Sequence, residues 1–257
     1  MKTFAHALAA QGRVIGALFQ RDIRSRGGEP VADIYIFLEP IFITLIVLAL
    51  HWGTGGTVNT VPVVAFVLTG FPPHLLLRHS GLAGLRALNA NVGLLYHRRI
   101  HHLDLVMARL LAEIAFIITA NIAIYCVFHL LGLFDVPASI GYFLFGWLLH
   151  IWFVIVCCFI FTGLALIWPI SRRFFLPICL LFLPIYGAFS MLSWWPTPVR
   201  NFLLWFPPAN ATEIMRRGYF GLTQQTYYDI PYTIYCLTFL TFCGLVILER
   251  GRRRLEV

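Results

Sequence analysis

Histidines recur at ligand-like spacing in one stretch of this chain, so the first chemistry to weigh is metal binding. His74 and His79 come first, and His97, His101 and His102 follow within Tyr96-His97-Arg98-Arg99-Ile100-His101-His102-Leu103-Asp104. Imidazoles three or four positions apart share a helix face and can ligate iron. Two features oppose that reading. Arg98 and Arg99 inside the second group would repel a cation, and the later His129 and His150 stand alone within apolar runs. The same patch is too polar for a bilayer core, so a short helix outside the membrane is expected there. It then reads either as a positive, histidine-rich docking helix for a cytoplasmic partner or as a solvated loop.

Carboxylates are the second group. Glu39 and Glu113 sit inside apolar runs, where an acid costs on the order of 3 kcal/mol by insertion scales and is a candidate functional residue. Glu113 follows Arg109 by one helical turn, the spacing of a structural ion pair. Glu39 precedes Pro40, which removes a backbone donor and loosens the helix, so a gating or substrate role is assigned to Glu39. Glu213 follows Asn210 by three, which resembles a capping box, and it could pair with Arg216 or Arg217 on the adjacent turn. Capping and a role in transport both remain open for it. The six cysteines all fall within apolar runs without metal-site spacing and read as small hydrophobes. A P-loop needs a lysine, and the only one is Lys2, with no glycine-rich stretch before it.

The elements that must hold these residues follow from composition. Of 257 residues, 60% are hydrophobic and 12% charged, and the mean hydropathy is +0.81. A soluble domain would be about half apolar with roughly a quarter charged, so the surplus apolar surface implies a bilayer. Runs of about 20 apolar residues cross one as helices. Six such runs are legible, at Ile34–Trp52, Val61–Leu77, Leu105–Leu131, Ile140–Trp168, Phe174–Leu192 and Ile230–Leu248. Ile41-Phe42-Ile43-Thr44-Leu45-Ile46-Val47-Leu48 does not alternate, which excludes a transmembrane β-barrel. The expected fold is an all-α membrane protein with six transmembrane helices. Residues 30–257 form the six-helix transmembrane bundle, and 1–29 form an amphipathic interface helix with Phe4, Leu8, Ile15, Phe19 and Ile23 near four-residue spacing. No unbroken apolar core of a cleavable signal peptide stands at the start.

Sixteen of the 19 basic residues fall before the first run, between runs two and three or at the start of the third, between four and five, or after the sixth; only Arg200, Arg216 and Arg217 lie on the other side. The positive-inside rule therefore places both termini and a segment at about 78–104 in the cytoplasm. It also accounts for the net charge of +8 without a nucleic-acid partner. The connection at about 193–229 is too apolar for a water-exposed loop. Two short helices broken at Pro207-Pro208 are expected there, dipping into the outer leaflet and returning.

Six spans, a basic amphipathic N-terminus, Leu38-Glu39-Pro40 in span one and this broken hairpin resemble the type-2 permeases of ABC exporters. Within these, the string Phe206-Pro207-Pro208, Glu213, Arg217, Tyr219-Phe220 is similar to the motif of capsular polysaccharide export permeases, in which Asn-Pro precedes a Glu, an Arg and an aromatic pair. Pro207 stands here where the Asn is usual. The resemblance implies a bacterial inner-membrane homodimer working with two ATP-binding cassette subunits that carry the ATP and Mg, with no cofactor in this chain. It implies a periplasmic adaptor and an outer-membrane export channel, and it makes Gly93–Leu103 the coupling helix, with Tyr96, His97, Arg98, Arg99, His101 and His102 facing the ATPase. Tyr186, Trp194, Trp195 and Trp205 are then expected along a sugar-compatible outer path with Glu39, Glu213 and Arg217; the alternative for the aromatic residues is an interfacial belt. Other type-2 substrates (O-antigen or teichoic-type glycan, drug or lipid) stay open. A membrane di-iron desaturase lacks its third histidine box here, and a proton-driven carrier lacks well-placed mid-span acids.

Overall fold

The computed structural model describes residues 2–26, 30–51, 53, 56–59, 61–90 and 102–253. Apart from a two-residue β-pair the described elements are helices: α1 (Lys2–Arg26), α2 (Pro30–Leu50), β1 (Thr57–Val58), β2 (Val61–Pro62), α3 (Val63–Ala90), α4 (His102–Leu130), α5 (Ile140–Ile167), α6 (Phe175–Ile185), α7 (Thr197–Leu203), α8 (Pro207–Phe220) and α9 (Ile230–Arg253). β1 and β2 are antiparallel, with Thr57 opposite Pro62 and Val58 opposite Val61. Among the described residues, Leu103–Leu130, Ile140–Ile167 and Ile230–Arg253 are long and apolar enough to cross a membrane, and Leu38–Leu50 is a shorter apolar helix. The chain is an all-α membrane protein.

α3 is less apolar than these because it carries Pro72, Pro73, His74, Arg78 and His79. Its first half is nonetheless the interior of the molecule: from Val63 to Leu77 every residue is buried. A helix enclosed by protein needs no lipid-facing surface, so polar residues are tolerated along it. Pro72 has no N–H to offer the Leu68 carbonyl one turn back. The Tyr125 hydroxyl of α4 donates to that carbonyl instead, at 3.1 Å.

α5 and α9 lie side by side and run in the same direction. Trp152 Nε1 donates to Thr241 Oγ1 at 2.9 Å, and one end further on Gly163 meets Leu248 and Gly251. A Cβ on Gly163 would stand 2.6 Å from the Leu248 nitrogen, so only glycine permits this backbone approach, as is usual between membrane helices. Because the two helices are parallel, the chain between them must travel back. The expected fifth run, Phe174–Leu192, is not one long helix: α6 has 11 residues, about 16 Å of rise. It stops after Pro184, at Gly187 with φ 66°. The hairpin of α7 and α8 completes the return to α9.

α1 packs along the start of α4. Val14, Ile15 and Leu18 join the core, Gln11 Nε2 donates to Asp104 Oδ1 at 2.7 Å, and Arg13 and Arg24 face outward. The helix is amphipathic as expected, although Ile23 is exposed and Leu18 takes the buried place; the side chains of Phe4 and Leu8 lie outside the described residues. α4 and α5 are consecutive yet splay apart, leaving an apolar cleft of about 320 Å³ lined by Ile118, Ile122, Phe143, Leu144 and Leu148 among others.

Candidate functional site

The broken hairpin is built around a buried charge pair. α8 opens with Pro207 and Pro208 at its first helical positions, capped by Phe206 without a side-chain bond. Proline suits these positions because their N–H groups have no partner in the helix anyway. The helix therefore starts a turn earlier than a capping box would require, and the expected Asn210–Glu213 box does not form. Asn210 Nδ2 donates instead to the Leu204 carbonyl at 2.7 Å, and its Oδ1 accepts from the Asp229 amide at 2.8 Å.

Glu213 accepts from the Leu192 amide at 3.3 Å and the Tyr227 amide at 3.2 Å. Its other partner is Arg216 Nη1 at 3.6 Å, with both side chains out of contact with solvent. Arg216 in turn donates to the carbonyls of Gly187 at 2.6 Å and Ser190 at 3.1 Å and to Thr69 Oγ1 at 3.4 Å. Its guanidinium lies 5.0 Å from the centre of the Phe66 ring. Gly187 admits this approach, since a Cβ there would come within 2.7 Å of Arg216 Nη1. A buried ion pair holds only when its remaining donors and acceptors are met, and here they are. The pair ties α3, the α6–α7 connection, α8 and the α8–α9 connection into one body. Sequence spacing offered Arg216 and Arg217 alike as partners for Glu213, and the resemblance to the export-permease motif singled out Arg217 for the site. The network's other partners are mostly backbone groups, which residue type does not reveal.

Arg217 points elsewhere. It is part-exposed, donates to the Gly221 carbonyl at 2.8 Å, and lines an open cavity with residues 222–228. Of the aromatic candidates, Trp194 stacks on Phe66 at 5.2 Å between ring centres. Trp195 is 42% exposed and Trp205 72% exposed; Trp195 Nε1 donates to Ser190 Oγ at 2.7 Å. Tyr186 is fully buried, stacked on His150 at 5.2 Å and edge-on to His74 at 5.6 Å. The Tyr186 hydroxyl and the Nδ1 atoms of both histidines have no hydrogen-bond partner among the described residues. No stacking contact among the described residues joins the three tryptophans to one another.

Nearer the other end of α3, Glu39 of α2 pairs with Arg78, and His79 Nε2 lies 3.4 Å from the same Glu39 oxygen. His74 and His79 thus face different neighbours. Among the described residues no three His, Cys, Asp or Glu side chains converge where a metal could sit. Glu113 is buried within α4. Tyr96, His97, Arg98, Arg99 and His101 lie outside the described residues, and of His102 only its place at the start of α4 is described.

No known family model matches this chain. It is 32% identical over 256 residues to the capsule polysaccharide export inner-membrane protein BexB of Haemophilus influenzae, covering 99% of this chain and 97% of that protein. It is likewise 32% identical over 257 residues to the capsule polysaccharide export inner-membrane protein CtrC of a serogroup A Neisseria meningitidis strain, with the same coverage. Similarity extends to the polysialic acid transport protein KpsM of Escherichia coli, at 25% over 248 residues and 91% of each chain.

Proposed function

We propose that this chain, which belongs to the family of capsule polysaccharide export inner-membrane proteins, is the permease subunit of an ATP-driven exporter of capsular polysaccharide. The observation that carries this reading is the match at 32% identity from end to end of relatives bearing that name. The chain acts as a homodimer in the inner membrane, with both termini in the cytoplasm, and ATP is bound and hydrolysed by a separate pair of subunits. A periplasmic adaptor and an outer-membrane channel receive the polymer.

The six-crossing arrangement is supported by the contacts between elements. The connection after α4 meets the end of α8, where the Ser139 amide donates to the Gly218 carbonyl at 2.8 Å and the Asp135 amide to the Tyr219 hydroxyl at 2.9 Å. The first half of α3 meets the same hairpin through Thr69. These connections share an end of the bundle that carries just three of the 19 basic residues, which is the outer end by charge. α1 and the start of α4 meet at the opposite end. The hairpin of α7 and α8, two short helices broken at Pro207-Pro208, enters the outer leaflet and returns.

The mechanism follows from α3. Its 28 residues make a rod of about 42 Å whose outer part is locked to the hairpin through Thr69 and Arg216. Its inner end leads directly into the segment containing Tyr96, His97, Arg98 and Arg99. Closure of the ATPase subunits pushes that segment, α3 carries the displacement, and the hairpin moves with it to open a path between the two permease copies. The Glu39–Arg78 pair fastens α2 to this rod and sets where span one follows it. Deleting the gene and restoring it on a plasmid, with affinity purification of the tagged chain in mild detergent, tests the proposal. Loss and return of capsule together with a stoichiometric ATP-binding subunit is expected. Unaltered capsule in the deletion strain, or a folded chain that brings no ATPase, overturns it.

A further inference from the structure

Arginine is disfavoured on the outer side of a membrane protein, so each of the three outer arginines invites a reason. Arg216 has one in the buried knot. Arg217 lines a cavity of about 540 Å³, within the usual range of ligand sites, and Arg200 packs on one of its tyrosines. Its wall includes Arg217, Gln224, Gln225, Thr226, Tyr227 and Tyr228, and carries no carboxylate. Arg200 stands 3.9 Å above the centre of the Tyr227 ring. Of the acids nearest in sequence, Glu213 is withdrawn into the pair with Arg216 and Asp229, next to Tyr228, accepts from the Tyr232 amide at the start of α9; neither lines the cavity. Among the described residues Arg217 spends one N–H on the Gly221 carbonyl and keeps the rest of its five donors.

The wall is anchored rather than loose. Gly221 turns the chain at φ 61°, and the far end is held by the Tyr227 amide on Glu213 and the Asp229 amide on Asn210. Amides and a hydroxyl match sugar hydroxyls, tyrosine rings offer faces to sugar C–H surfaces, and a guanidinium fork matches a carboxylate. We propose that this cavity is an outer subsite for an acidic sugar, one carboxylate-bearing unit of the emerging glycan, with Arg217 holding the carboxylate and Gln224 and Gln225 the hydroxyls. This rests on the export function proposed above.

The test uses the full-length chain with its ATP-binding partner in lipid nanodiscs. The probe is a glucuronate-containing tetrasaccharide, set against the same tetrasaccharide with its carboxyls reduced to alcohols, titrated by calorimetry. Arg217→Gln should weaken binding of the acidic probe about tenfold or more, the loss expected for a charge-assisted contact. Gln224→Ala, which removes no side-chain hydrogen bond among the described residues, should weaken both probes, and Arg217→Gln should leave the reduced probe's weaker binding unchanged. Absent binding to wild type, equal binding of the two probes, or indifference to both substitutions overturns the subsite. If wild type restores capsule to the deletion strain in that event, the export function stands and only the subsite falls. If wild type restores none, the export function itself falls.

Discussion

Removing the carboxylate of Glu213 should unfold the α7–α8 hairpin before it touches the proposed transport. In Glu213→Ala the Arg216 charge stays buried with carbonyl and hydroxyl neighbours alone, and the amides of Leu192 and Tyr227 lose their acceptor. Breaking a buried pair from one side costs about 3–5 kcal/mol, and an orphaned amide about 1–3 kcal/mol. These overlap, because the pair figure already includes part of the local rearrangement; about 4 kcal/mol is the expected loss. Glu213→Gln keeps the volume and one acceptor oxygen but not the charge, so about 2–3 kcal/mol is expected. Replacing both ends, as Glu213→Gln with Arg216→Met, should be less damaging than the sum of the singles by about 2 kcal/mol. The assay is reversible unfolding by SDS titration in mixed micelles, followed by tryptophan fluorescence. A Glu213→Ala protein within about 0.5 kcal/mol of wild type, the range of an ordinary surface change, would refute the knot as a structural element.

The two tryptophans beside the knot should separate. Trp194→Ala loses its stack on Phe66 and about 2 kcal/mol of stability, whereas Trp195→Ala loses one exposed hydrogen bond and at most about 1 kcal/mol. Capsule export measured beside unfolding then decides the roles: reduced capsule with a stable Trp195→Ala chain puts that residue on the path, and unchanged capsule removes it. Glu39→Gln deprives Arg78 of its carboxylate partner and should lower export while the dimer still assembles in native gels; full export would leave the pair with packing alone.

The helices easiest to read were those apolar on every face. α4, α5 and α9 fall within a few residues of their apolar runs because both the faces packed on other helices, most of α5, and the faces left for lipid, most of α9, are apolar. α3 outran its apolar run, Val61–Leu77, to reach Ala90, because its continuation through Arg78 and His79 is held by α2 and neighbouring protein. α6 fell short of its run because composition registers Phe174–Leu192 as apolar, while Pro184 and Gly187 set where the helix can end. The capping box failed for a related reason: Asn210 and Glu213 have the right types and spacing, but Pro207 and Pro208 claim the first turn.

That failure locates what sequence reading could not reach. Of the atoms that hold the knot, the Gly187 and Ser190 carbonyls and the Leu192 and Tyr227 amides belong to backbone that any residue would present. Only the fold brings them within 2.6 to 3.3 Å of the two charges. The same fold gives Arg216 and Arg217 opposite tasks. Adjacent residues on a helix point about 100° apart, so one turns into the bundle and the other toward open space. A change that rotated α8 by one residue would exchange them, burying Arg217 and turning Glu213 away from the Leu192 and Tyr227 amides that hold it. The pair's position in the register is thus what keeps the Arg217 charge at the cavity, and structural stability and the proposed glycan subsite depend on the same helical phase.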